Sequence, residues 1–318
     1  MRTIPVRVAA KARETDDVVR LELEATDAFA LPAFDAGAHI NVTIRPGLAR
    51  AYSLCNVPGE PDRYVIAVQR ARISRGGSAT LCERTEVGDT ILISEPLNTM
   101  RLVEAKRVLL FAYGIGIAPV LSMAATLARR GTSFEVHYCA PSARHAPFLP
   151  LLLSAAYAQS IRTYFDSDRD RSCFDAASVL GMPDGDKHAY VCGPGHFSAH
   201  VVQAAEAAGW SVSHVHPEHF SRDDTERSRN RGFDVKIAST GRVYRVPGDL
   251  SVCAALARHD IIIPTSCGDG VCGTCATKIL EGTVEHRDFY LTSRERAMNA
   301  VFTPCCSRAV TDLLVLDL

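Results

Sequence analysis

The chain has 318 residues, 47% of them apolar, which suits about two domains at roughly 150 residues each and excludes disorder as the dominant state. Lys plus Arg number 35 and Asp plus Glu 36, and this near-neutral balance argues against binding nucleic acid through bulk charge. No apolar run approaches the roughly 18 to 20 residues of a membrane span, and the start MRTIPVRVAAKARETDD lacks a signal-peptide core, so a soluble, cytoplasmic protein with no membrane partner is expected.

From the N-terminus, VVRLELEA, AHINVTI, RYVIAVQR and DTILISEP are short runs with β-branched content, separated by Pro, Gly, Asn and Asp. With one helix at Ser78–Arg84, they predict a small antiparallel β-barrel over residues 1–102. Over 103–222 the strands RVLLFAY, FEVHYC, IRTYF, HAYVC and SVSHVH alternate with helices at Pro119–Arg130, Pro147–Gln159 and Phe197–Ala208. That alternation predicts a doubly wound α/β domain with a parallel sheet, and ligands bind such sheets at the carboxyl ends of their strands. The charged, apolar-free stretch SRDDTERSRNRG at 221–232 predicts a linker over 223–232. The strands FDVKIA, RVYRVP and LLVLDL, with a helix at Ser251–Arg258, predict an α+β domain over 233–318.

Eleven cysteines without an export signal point to metal binding rather than disulfides. Cys267, Cys272 and Cys275 form C-x4-C-x2-C, and Cys305 follows after 29 intervening residues. This is the spacing of a plant-type [2Fe–2S] cluster. Gly268, Gly270 and Gly273 allow the chain to wrap a cluster closely and to aim N–H groups at its sulfurs. The alternatives are a structural zinc site, which usually shows two C-x2-C pairs, or buried free thiols. Cys55, Cys82, Cys139, Cys173 and Cys253 are most simply core residues. His214, His216 and His219 lack a paired carboxylate or cysteine cluster, so packing or surface roles are expected for them.

Two further motifs suggest anion and ring binding. Arg50-Ala51-Tyr52-Ser53 offers a guanidinium for a phosphate, a flat ring face and a hydroxyl; a surface charge and a core aromatic are the alternative. Arg75-Gly76-Gly77-Ser78 opens the predicted helix with free N–H groups and a hydroxyl. After RVLLFA, the turn Tyr113-Gly114-Ile115-Gly116-Ile117-Ala118-Pro119 enters a helix, and Cys192-Gly193-Pro194 follows AYV.

These motifs, in this order and over nearly the whole chain, resemble the phthalate dioxygenase reductase and vanillate demethylase reductase family. The resemblance implies FMN, held by Arg50, Ala51, Tyr52 and Ser53, by backbone of Tyr64, Val65, Ala67 and Val68, and by Arg75, Gly76, Gly77 and Ser78 at its phosphate. It implies NADH against Gly114, Gly116, Ile117, Pro119, Cys192, Gly193 and Pro194, with Asp166 facing the adenosine ribose; Arg144 is a rival that could bind phosphate instead. Tyr113 stands where the family's G-G-I-G-I-T-P turn has Gly, and Ala118 where it has Thr. Glu218-His219-Phe220 resembles the family's E-x-F end, a resemblance that implies Phe220 packing near the flavin. The tail Cys305-Cys306-Ser307-Arg308-Ala309 resembles C-x-S-R-A, which makes Cys305 the ligand and Cys306 a packing residue. Ser53 and Cys192 are the expected catalytic positions, with Cys192 placing the nicotinamide and not attacking it.

The implied activity is that of an NADH-dependent flavin iron–sulfur oxidoreductase, the monomeric reductase component of a Rieske non-haem iron aromatic oxygenase or demethylase. Electrons would run from NADH to FMN to [2Fe–2S] to the terminal oxygenase, because a flavin accepts a hydride and releases single electrons. The alternative enzyme is a stand-alone NADH diaphorase or oxidase, which has no need of a ferredoxin domain. A pure carrier or redox sensor would need neither the flavin motif nor the nucleotide turn.

Overall fold

A computed structural model describes residues 3–26, 30–45, 48–59, 62–71, 77–168, 174–218, 230–265, 268, 270, 273–288 and 290–318. The chain divides into two compact units, Met1–Pro46 with Ala51–Phe220, and Gly47–Arg50 with Ser221–Leu318. Of the expected linker, only residues 230–232 are described. No helix among the described residues is long and apolar enough to cross a membrane.

Strands β1 (Thr3–Arg13), β2 (Val18–Ala25), β3 (His39–Arg45), β4 (Leu48–Ser53), β5 (Arg63–Gln69) and β6 (Thr90–Ser94) form one sheet in the order β4-β3-β6-β1-β2-β5. Its β1–β2, β1–β6, β2–β5 and β3–β6 ladders are antiparallel. The two edges meet where Leu54 bridges Ile66 and the Cys55 amide donates to the Val65 carbonyl, 2.8 Å, which closes the barrel. Strand alternation then sorts the side chains. Leu21, Leu23, Ile40, Val42, Tyr64, Ile66 and Val68 fill the barrel, whereas Val18, Val65 and Ala67 of the opposite phase join a second core. The helix expected at Ser78–Arg84 is a short turn α1 (Gly77–Ala79) running into a π-helical turn at Thr80–Arg84.

The sequence pattern does not predict β1 or β4. Only Val6 and Val8 alternate clearly in β1, and pairing with β2 and β6 on its two sides makes it a strand.

The second core lies under a parallel sheet of β7 (Arg107–Tyr113), β8 (Ser133–Ala140), β9 (Ile161–Phe165), β10 (Lys187–Cys192) and β11 (Val215–Glu218), ordered β11-β10-β7-β8-β9. Val108, Leu110 and Ala112 of β7 face helix α2 (Ile117–Arg130) and share one cluster with Val18, Cys55, Val65 and Ala67 of the barrel. Leu109 and Phe111 face the other side, against α4 (Ala176–Leu180) and α5 (Gly195–Ala207). Helix α2 ends at Gly131, φ 67°, where the Thr132 amide reaches the Leu127 carbonyl at 3.1 Å, the usual left-handed stop.

Two expected elements are shorter than their sequence suggests. The helix at Pro147–Gln159 is only α3 (Leu149–Ser154) followed by a 3-10 turn at Ala158–Ser160, because Ala155 is extended and Tyr157 turns in to pack edge-on against Phe134. The strand expected over SVSHVH starts at Val215, because the Ser211 hydroxyl accepts from the Ser213 amide and holds Val212–His214 in a 3-10 turn.

The last unit carries β12 (Phe233–Ile237), β13 (Val243–Val246), α6 (Val252–Ala257), β14 (Thr277–Glu281), β15 (Val284–Glu285), α7 (Ser293–Met298), β16 (Val301–Phe302), β17 (Arg308–Ala309) and β18 (Leu313–Leu316). Its main sheet runs β13-β12-β18-β14-β16, with β15 and β17 paired apart. Ser251 caps α6 by accepting from the Ala254 amide at 3.1 Å, and a Thr292–Glu295 capping box starts α7.

Candidate functional site

Among the described residues, the flavin candidates belong to the barrel, the nucleotide candidates to the parallel-sheet region and the cluster candidates to the C-terminal unit. On the barrel, Tyr52 packs against the interior core, so its neighbour Ser53 points to the opposite face. Ser53 is 3% exposed and its Oγ has no hydrogen-bond partner. Asn41 on the adjacent strand is also buried with neither Oδ1 nor Nδ2 partnered. Burying such groups unpaired is costly, so they mark a place where a polar ligand belongs. Arg50 is half-buried and donates to its neighbour's carbonyl, Ala49, at 2.8 Å; Ala51 is half-buried.

On β5, the Val65 amide and carbonyl are engaged by Asn56 Oδ1 and the Cys55 amide, and Tyr64 turns its hydroxyl to the Pro32 carbonyl. Val65 and Ala67 face the second core, and Tyr64 and Val68 the barrel interior. Gly77 is buried and Ser78 Oγ accepts from the Ala71 amide at 3.1 Å. Arg75, Gly76 and Phe220 lie outside the described residues, as does Cys173.

The carboxyl ends of β7 and β10 converge on the glycine turn. Gly114 takes φ 55°, and its carbonyl receives the Tyr138 hydroxyl at 3.2 Å. Gly116 packs directly on the Cys192 carbonyl: a Cβ there would lie 2.1 Å from that oxygen. Ile117 and Pro119 are buried at the start of α2, so only their backbone is available to a ligand. Gly193 and Pro194 are half-buried beside the turn. Asp166, just past β9, is exposed and accepts a hydrogen bond from the Tyr113 hydroxyl at 2.7 Å. Arg144 lies in a 3-10 turn at Ala143–His145.

Cys192 is fully buried, and burial, with Glu218 nearby, pushes its thiol well above the ordinary range. It stays a neutral thiol, which suits contact and positioning and not nucleophilic attack. The sequence motifs give Glu218 no role of its own. It is the ladder partner of Cys192, is buried, and leaves Oε2 unpartnered. Its signal in the sequence is an acid that ends the short strand Val215–Glu218, two residues before the expected flavin-packing Phe220.

Burial pushes the Glu218 carboxyl up to about 8, although Thr99 hydrogen-bonds to its charged form. The group's ordinary value is 4.5, so the folded state holds this proton longer than the unfolded chain does. Its contribution to stability is complete below about pH 4.5, falls as pH rises, and levels off above about pH 8, a loss of roughly 4 to 5 kcal/mol. Glu218→Gln should flatten this slope in urea titrations between about pH 5 and 9. An unchanged slope would assign the proton uptake to another group.

In the second unit, Cys275 and Cys305 are buried in the core formed by Phe233, Val235, Leu256 and Phe302. Cys267 and Cys272 lie outside the described residues. No group of three or more metal-ligating side chains is present among the described residues. Gly268, Gly270 and Gly273 all have positive φ, from 70° to 77°. A Cβ at Gly270 would sit 2.4 Å from Cys306 Sγ, and one at Gly273 would run into the Tyr290 ring at 2.3 Å, so the loop is pressed against its support as a tight cradle requires. The Cys306 sulfur contacts Thr303 Oγ1 at 3.2 Å and Ser307 Oγ at 3.8 Å. Arg308 donates to the carbonyls of Leu250, Pro247 and Arg231 and lies over the Phe233 ring, 4.9 Å away. That clamp fixes the segment carrying Cys305, and it accounts physically for an arginine at this place in the tail. The buried thiols and the glycine cradle fit a cluster, and the unpartnered buried hydroxyl of Ser53 fits a ring nitrogen.

An antiparallel barrel, a doubly wound parallel sheet and a plant-type ferredoxin fold on one chain define a multidomain oxidoreductase. The 2Fe–2S iron–sulfur cluster binding domain family matches residues 235–310. Vanillate O-demethylase oxidoreductase of a Pseudomonas species is 43% identical over 99% of this chain and 100% of its own length. The phthalate 4,5-dioxygenase oxygenase reductase subunit of Pseudomonas putida is 36% identical over 98% of this chain and 96% of its own. The solved structure of phthalate dioxygenase reductase, a modular structure for electron transfer from pyridine nucleotides to [2Fe–2S], superposes with a TM-score of 0.81 at 34% identity, covering 99% of this chain and 98% of that one. The chain belongs to this phthalate dioxygenase reductase and vanillate demethylase reductase family.

Proposed function

We propose that the chain is the reductase component of a Rieske non-haem iron oxygenase or demethylase acting on an aromatic substrate. It takes electrons from NADH through FMN and a [2Fe–2S] cluster to a terminal oxygenase. The observation that carries this reading is the end-to-end likeness, over 99% of the chain, to a vanillate O-demethylase oxidoreductase, in a chain that keeps the flavin motif, nucleotide turn and cluster cysteines in order. When bound, the flavin accepts a hydride from reduced nicotinamide, and the cluster carries single electrons onward.

The chain's own residues prepare that transfer. Ser53 Oγ holds a hydrogen-bond donor and acceptor at the ring, with Asn41 a second polar partner on the neighbouring strand. Tyr52, packed on the barrel interior, buttresses the strand that presents Ser53 on its other face, and Arg50, Gly77 and Ser78, with Arg75 and Gly76, hold the phosphate. The Gly114–Gly116 turn lets the dinucleotide approach backbone, and Cys192 and Glu218, both uncharged at neutral or lower pH, keep charge away from the nicotinamide. Cys267, Cys272, Cys275 and Cys305 hold the cluster.

The test compares two acceptors in the full-length protein. Cys275→Ser should reduce ferricyanide with NADH at about the wild-type rate, and its reduction of cytochrome c should fall at least tenfold. Full cytochrome c activity in that variant would remove the cluster from the electron path and favour a stand-alone diaphorase.

A further inference from the structure

The Tyr113 side chain leaves the end of β7 on the side of the sheet that faces α4 and α5. Its ring packs on Phe197 at 5.5 Å and edge-on to His196 at 6.1 Å. Its hydroxyl donates to Asp166 Oδ2 at 2.7 Å. Strand β8 lies between β7 and β9, so this contact crosses two strand spacings, about 9 to 10 Å, along the carboxyl edge where dinucleotides bind. Asp166 is exposed and sits past the end of its strand, held there by its own amide to the Ala140 carbonyl at 3.1 Å. An exposed aspartate of this kind samples several rotamers unless something holds it.

We propose that Tyr113 is the positioning residue that sets coenzyme choice: its hydroxyl fixes the Asp166 carboxylate so that the other oxygen, Oδ1, meets the adenosine ribose. A ribose 2′-hydroxyl donates to Oδ1, whereas a 2′-phosphate meets a carboxylate that cannot swing away. A glycine at position 113, as in the turn this one resembles, has no side chain to make that contact. The inference rests on the reading of this sheet edge as the NADH site.

The experiment measures KM and kcat for NADH and NADPH, with ferricyanide as acceptor, in wild type, Tyr113→Phe, Tyr113→Gly and Asp166→Asn. Phe keeps the ring packing on Phe197 and removes only the hydroxyl. It should raise KM for NADH about ten- to a hundredfold, the worth of one hydrogen bond to a charged group, with kcat within about twofold. Because KM for NADPH does not rise, the preference for NADH falls by the same factor. Asp166→Asn should lose the preference in both backgrounds, so that the double variant is no worse than Asp166→Asn alone. An unchanged or lowered KM for NADH in Tyr113→Phe overturns the proposal, the lowered value showing a ring that obstructs the nucleotide. A wild-type protein that oxidises neither nucleotide overturns the NADH reading itself, a result distinct from either of these.

Discussion

Cys305→Ser should strip the chain of its cluster, whereas Cys306→Ser should keep it. The two thiols are neighbours, and only one can turn toward a metal held by the glycine loop. Cys305 is buried within the same core as Cys275, while Cys306 packs only at the margin of that core, with its sulfur against Gly270 and in contact with Thr303 Oγ1 and Ser307 Oγ. A serine at 305 replaces a soft thiolate with a hard, weakly acidic hydroxyl, which iron–sulfur sites bind poorly. Iron and acid-labile sulfide should drop by at least fivefold in Cys305→Ser and by less than a quarter in Cys306→Ser, and the visible absorption should follow. A serine at 306 can keep the contacts to Thr303 and Ser307, so it should fold. Loss of iron from Cys306→Ser together with retention in Cys305→Ser would reverse the assignment.

Gly116→Ala should be among the most damaging single-methyl additions in the nucleotide sheet. The backbone there, φ −60° and ψ −7°, is one alanine adopts readily, so conformational strain contributes nothing. The cost is steric. The new Cβ would lie 2.1 Å from the Cys192 carbonyl oxygen, 2.5 Å from its carbon and 2.9 Å from the Gly193 amide nitrogen, all backbone atoms that cannot rotate aside. Relief requires the ends of β7 and β10 to part, which opens the core beneath Ala112 and Cys192. A loss of about 3 kcal/mol, the upper end of ordinary overpacking, is expected in urea unfolding, with KM for NADH raised at least tenfold. Gly114→Ala is the control. Its φ of 55° strains an alanine by roughly 1 kcal/mol, but its Cβ would meet open space. Equal stability of the two variants would show that the turn does not rest on Cys192.

Strands with clean alternation or continuous apolar character are legible in the sequence alone: β2, β3, β5, β7 and β10 run within a residue or so of their sequence limits. Elements lacking that signal are not. Strand β1 depends on two neighbours, β15 and β17 are pairs of residues, and α7 lies inside the long interval between Cys275 and Cys305. For the site, C-x4-C-x2-C and the order of the motifs carry the chemistry, because ligand spacing along a loop is a local property that residue identities record directly.

Local spacing cannot reach contacts between residues distant in the chain. That Tyr113 holds Asp166 across β8, that Glu218 lies beside Cys192 without a full set of partners, and that Arg308 clamps the carbonyls of Arg231, Pro247 and Leu250 are consequences of strand order and register. The same holds for the protonation of Cys192 and Glu218. A side chain's charge depends on how much water the fold removes from around it, and no stretch of sequence encodes that burial until the strands have packed.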